Sequence, residues 1–197
     1  LTMNLALQVA KELGSSVIMP EHLVLGILKA KKGLAYEIFK SLDVDEDKFS
    51  REIIKPIEKQ MPETLLIMKL AKEEARRLGR NVVGTEMFLL GIIAEGSSIA
   101  SEVLSDLEIT MKDARTVVEN LVGYGNEYFD KEIVFTKRAK RVLEKAWSKA
   151  KKNNKQKIEA VDLLLSIIEE PDSLAMKVLD SLGVDAVEIK HGIQGIK

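Results

Sequence analysis

Apolar positions along this chain recur at helical spacing. In residues 2–13, Met3, Ala6, Val9, Ala10 and Leu13 fall on one stripe, with Gly14 placed to end the helix they predict. Met19-Pro20-Glu21 restarts the chain, because proline fits a first helical position and an acid there meets the positive end of the helix dipole. The run 23–28 is almost wholly apolar, so the helix it opens is a buried one. Residues 34–42 predict a third helix and 46–57 a fourth, with Phe49, Ile53 and Ile57 in line, and Pro56 and Pro62 bracket the exit.

The buried pattern then returns twice. VIMPEHLVLGILK at 17–29, VVGTEMFLLGIIA at 82–94 and KIEAVDLLLSIIE at 157–169 occupy corresponding places in three longer units. Subtracting 65 sets Ala71, Ala75, Leu78 and Gly79 on Ala6, Ala10, Leu13 and Gly14, and Ile99, Ala100, Leu104 and Leu107 on Leu34, Ala35, Phe39 and Leu42. Adding 75 sets Ala71, Ala75, Ala100 and Leu104 on Ala146, Ala150, Ala175 and Leu179. The second unit predicts helices at 65–78, 85–94, 98–107 and 110–122, and the third at 136–150, 158–169, 173–182 and 184–192. Thr85 and Thr136 read as N-caps. Residues 123–130 read as a loop that Tyr124, Tyr128 and Phe129 would pin to the core. The expectation is an all-α chain of three tandem four-helix repeats: an extra repeat at 1–60, then a pseudo-two-fold pair at 63–197, divided into 63–123 and 135–197 by a linker at 124–134.

Composition narrows the function. One unit of about 60 residues would be a marginal core alone, so units should pack on each other. Hydrophobic residues at 46% and charged ones at 31% describe a globular chain, and 5% aromatics with 4 prolines favour helix over sheet. A net charge of -1 gives no reason to expect nucleic acid or an anionic membrane, and no apolar run reaches the length of a membrane span. The absence of cysteine removes disulfides and thiol chemistry, and fits a reducing compartment. The sequence opens on a Leu that aligns inside a first helix, so residues upstream of it are expected.

GTEMFLLGII at 84–93, EARRLGRNVV at 74–83 and FTKRAKRVLEKA at 135–146 together resemble the N-terminal domain of the Clp ATPases, ClpC and ClpA type. That family carries GTEHxLLGL and FTxRAKxVLE, and MPEHLVLGIL at 19–28 resembles its second-helix signature. The resemblance implies a two-repeat fold over 63–197 with one repeat added. It also implies a non-catalytic receptor for adaptor proteins or unfolded substrates, serving a Clp ATPase ring and its protease in a cytoplasm or plastid stroma. The sequence has no GxxxxGK[ST] phosphate loop, and no cofactor is implied.

In ClpC-like members the glutamate of GTEH belongs to a pocket for phosphorylated arginine. The resemblance carries that role to Glu21 and Glu86, with Thr85 and Thr136 as companion contacts. The third repeat departs from the pattern, with Val161 and Asp162 at the glutamate and histidine positions, and Met61 stands where the second repeat should have its threonine. The plainer reading has Glu21 and Glu86 only compensating helix dipoles. His22 and His191 are far apart and read as ordinary side chains, His22 as a helix-start hydrogen-bonding group. The basic runs 137–141 and 149–157 read either as a docking surface or as solvated helix ends. Two further expectations compete with the receptor reading: an accessory protein that docks on the Clp ring or protease, and a homodimer joined through the first repeat.

Overall fold

The computed structural model describes residues 2–12, 17–47, 49–50, 62–126 and 133–196. They form two compact units, Leu1–Met61 and Pro62–Lys197.

In the first unit α1 is Thr2–Glu12, α2 is Pro20–Ala30 and α3 is Leu34–Ser41. Small residues set how closely α1 meets α2: Ala6 is fully buried, and a Cβ on Gly26 would come within 2.8 Å of the Ala6 nitrogen. Pro20 opens α2 as its spacing predicts, and His22 Nδ1 accepts the Met19 N–H at 2.9 Å, satisfying a donor that the first turn leaves free. Val9 and Leu25 form a small core with Phe49 against it, whereas α3 buries no residue. Residues 46, 47, 49 and 50 are helical. The rest of the expected fourth helix, and the helix end assigned to Gly14, lie outside the described residues.

The second unit runs α4 Glu63–Arg77, β1 Val82–Val83, α5 Thr85–Glu95, α6 Ile99–Asp106 and α7 Met111–Val122, then β2 Val134–Phe135, α8 Lys137–Lys152, α9 Ala160–Ile168, α10 Leu174–Ser181 and α11 Ala186–Gly195. The alanine and glycine logic repeats. Ala71 is buried, and a Cβ on Gly91 would come within 2.6 Å of the Ile67 carbonyl oxygen. In the third repeat Ser166 holds the glycine's place and turns its hydroxyl back to the Asp162 carbonyl at 2.7 Å. Ser98, Thr110, Thr136 and Ser173 each accept a backbone N–H as N-caps of the helices that follow them.

A left-handed residue follows the third helix in all three repeats: Asp43 at φ 55°, Glu108 at φ 60° and Gly183 at φ 78°. The register read from side chains therefore also holds for the backbone. Each contact between the second and third repeats has its counterpart: α5 lies on α10 and α9 on α6, α6 on α11 and α10 on α7, α4 on α9 and α8 on α5. That reciprocity is a pseudo-two-fold axis, and one core of Ile67, Phe88, Leu104, Leu163, Leu179 and their neighbours spans both repeats.

Three sequence expectations change. Val134, assigned to the linker, joins a parallel ladder with the register Val82↔Val134 and Val83↔Phe135, too short to show an alternating pattern. Tyr124 is 67% exposed and pins nothing, while Tyr128 and Phe129 lie outside the described residues. The loop is held instead by glycine backbone, with the Gly125 N–H donating to the Leu78 carbonyl at 2.7 Å. The third change, at Thr85, concerns the candidate site.

Candidate functional site

The ladder brings two helix starts together. Its strands are parallel and each leads into a helix, so α5 and α8 leave from the same end. The Thr136 N–H donates to the Val83 carbonyl at 2.9 Å, locking the start of α8 beside the strand that feeds α5. Two sets of free N–H groups and two positive dipole ends share one region.

Thr136 caps α8, its hydroxyl accepting the Ala139 N–H at 3.1 Å. Thr85 does not cap α5. Gly84 holds that position without a side-chain bond, and the buried Thr85 hydroxyl instead accepts the Ala175 N–H across the repeat interface at 3.3 Å. A tertiary donor has taken an oxygen that local sequence assigns to the helix start.

Glu86 lies in the first turn of α5, where the plainer expectation is an acid that compensates the helix dipole. It is only 6% exposed. Burial pushes its carboxyl above the ordinary range, opposed by a hydrogen bond to its own backbone and by the positive charge of Arg80. Among the described residues its Oε2 has no hydrogen-bond partner, an expensive state for a buried oxygen. The carboxylate folds back over Gly84, where a Cβ would collide with both of its oxygens. A Cβ there would have to displace that carboxylate, the end of a flexible side chain, while the backbone at φ -95° suits any residue.

The other two repeats carry an acceptor at their helix start that the second repeat lacks. At the third position of the equivalent helix, His22 accepts the Met19 N–H and Asp162 accepts the Glu159 N–H at 3.1 Å. The second repeat has Met87 there, which offers no such acceptor. Asp162 is committed further, with Lys155 Nζ 3.2 Å away, and Val161 supplies no carboxylate. Glu21 lies in the first turn of α2, half-buried, in the first unit. The structure thus brings Glu86, Thr85 and Thr136 to the two repeats' shared region and leaves Glu21 in a separate unit.

Arg80 is the site residue that sequence reasoning passed over. Its guanidinium donates to the Val122 carbonyl and, at 3.3 Å, to the Gly123 carbonyl, which anchors the cation that acts on Glu86. The signal lies inside EARRLGRNVV at 74–83, where Arg80 follows the glycine that ends α4. Nearby, the buried Glu74 is held by Arg115 and Arg77; burial opposes its charge, but those guanidinium bonds keep its carboxyl below the ordinary range. Part of the basic runs is engaged: Lys149 pairs with Glu169 at 2.7 Å, Lys155 with Glu159 at 2.8 Å, and Arg141 with Glu170 at 3.2 Å.

The model of the Clp repeat (R) N-terminal domain family matches residues 1–66, 62–152 and 134–196. An ATP-dependent Clp protease ATP-binding subunit, the chloroplastic ClpA homolog of Brassica napus, is 39% identical over 163 residues, which is 82% of this chain and 19% of that protein. The chloroplastic chaperone protein ClpC of Pisum sativum is 46% identical over 124 residues, 63% of this chain and 13% of that protein. The chain thus spans less than a fifth of the length of these relatives. Among solved structures, the N-terminal domain of the caseinolytic protease associated chaperone ClpD from Arabidopsis thaliana superposes with a TM-score of 0.58 at 24% identity, covering 68% of this chain and 92% of that one.

Proposed function

The chain belongs to the Clp repeat (R) N-terminal domain family, and from that premise we propose that it is a non-catalytic receptor delivering adaptors or unfolded protein segments to a Clp ATPase ring and its protease. The observation that carries the reading is the buried, half-satisfied carboxylate of Glu86 beside two helix N-termini. A guanidinium fork would give both carboxylate oxygens a donor and restore the ionised form that burial disfavours. A phosphoryl group on that guanidinium would meet the Thr136 hydroxyl and the positive ends of α5 and α8. The ligand class is therefore an arginine-phosphorylated segment, with Glu86 and Thr136 as its contacts and Thr85 positioning the start of α5. Glu21 would offer a second, weaker carboxylate in the first unit. The working compartment in this reading is a cytoplasm or plastid stroma, supported by the chloroplastic relatives.

The test is capture of one unfolded protein in arginine-phosphorylated and unmodified forms. Retention of the phosphorylated form alone is expected, and equal or no retention of both would count against the reading. A second reading, an accessory that docks on the Clp ring or protease, draws on the extra repeat, since 68% of the chain already accounts for 92% of the ClpD N-domain. It predicts co-sedimentation with assembled rings without any peptide.

A further inference from the structure

In the second unit a repeat covers its neighbour with the same face that the neighbour uses in return. Such a surface recognises its own kind, which is the property of an isologous interface. Three positions mark it. Phe88 sets its ring 5.6 Å from that of Phe135 in the next repeat. Ala100 corresponds to Ala175, whose N–H bonds Thr85 across the axis. Val103 lies where a Cβ on Gly192 would come within 2.7 Å. Phe88 and Ala100 are fully buried, Val103 is 1% exposed, and their third-repeat counterparts Leu163, Ala175 and Val178 are fully buried.

The same positions in the first unit are Leu23, Ala35 and Ile38. Leu23 is 37% exposed, Ile38 48%, and Ala35 is exposed with them. Leu34 at 79% and Leu42 at 66% extend the apolar face along α3. We propose that the first unit docks through this face on the same face of a second copy of the chain, a true two-fold axis replacing the pseudo-two-fold one of the second unit. A second copy fits better than another occupant for two reasons. The face is built like surfaces that pair with their own kind, and α3 carries one acid, Glu37, and one base, Lys40, so two copies meet without net like charge. The two repeats of the second unit have already covered this face on each other. The inference does not depend on the peptide site.

Sedimentation equilibrium of the full chain tests it. The wild type should rise with concentration from 22.0 kDa towards twice that mass. Ile38→Glu should remain at the monomer mass with an unchanged circular dichroism spectrum, because Ile38 is already solvent-facing in the single chain. Leu23→Ser should weaken the dimer by at least tenfold, whereas Glu86→Gln should leave the mass unaltered. A wild type that stays at 22.0 kDa at every concentration, or a dimer indifferent to both Ile38→Glu and Leu23→Ser, overturns the proposal. So does a monomer that binds a reduced, unfolded protein through this face and loses it on Ile38→Glu.

Discussion

The Thr85 hydroxyl accepts the Ala175 N–H at 3.3 Å, and both residues are buried where the second and third repeats meet. Thr85→Val keeps the shape and removes the acceptor, leaving a buried donor unsatisfied. The expected loss is about 1–3 kcal/mol of unfolding free energy, read from urea titration, with Thr85→Ser closer to wild type. Helix content should hold, because Gly84 and not Thr85 is the N-cap of α5.

Gly84→Ala should act through one local contact. At φ -95° alanine is an ordinary residue and would normally be neutral or slightly stabilising, but its Cβ would run into the Glu86 carboxylate. A double-mutant cycle with Glu86→Ala should show a coupling of about 1 kcal/mol or more, Gly84→Ala being nearly harmless once the carboxylate is gone. Additive effects would mean that the carboxylate does not lie over Gly84.

Two buried acids give opposite pH dependences. Burial raises the Glu86 pKa, so between its unfolded and folded values the native state holds a proton that the unfolded chain has released. Stability from this group therefore falls as pH rises through that window. Glu86→Gln should be more stable than wild type at neutral pH, the gap closing in acid. Glu74 is also desolvated, but its bonds to Arg115 and Arg77 lower its pKa, so its contribution is present above the unfolded value and is lost as pH falls through the folded one. Glu74→Gln should destabilise at neutral pH and approach wild type in acid. Thermal melts between pH 3 and pH 8 read both signs.

Glu108 holds the left-handed conformation that Gly183 holds in the third repeat. Glu108→Gly should stabilise by a few tenths to about 1 kcal/mol, the steric relief exceeding the added entropy of the unfolded chain. A measured loss would show that the glutamate side chain contributes a compensating contact.

Much of this fold was legible because repetition averages out local ambiguity. Ala71 and Ala75 align with Ala146 and Ala150 in sequence, and all four are fully buried. Helix boundaries fell within a few residues for the same reason: Pro20, Ser98, Thr110, Thr136 and Ser173 each carry a local start signal. What depends on distant partners was not legible. Two-residue strands pairing Val82 with Val134 leave no periodicity to read. Thr85 looks like a cap from its neighbours, and only the approach of Ala175 reassigns its oxygen. An acid at the start of a helix reads as dipole compensation, and the burial of Glu86 emerges only in the folded chain. The missing acceptor at Met87, by contrast, is visible in the sequence.

The reading of this chain as a receptor turns on whether the Glu86 carboxylate takes a guanidinium. The direct measurement is calorimetric titration of the full chain with a short arginine-phosphorylated peptide, set beside Glu86→Gln and Thr136→Val. Saturable binding by the wild type is expected, at least tenfold weaker in Glu86→Gln and weaker in Thr136→Val, with both variants folded. Equal affinity in the wild type and Glu86→Gln, or no binding by the wild type, would contradict it.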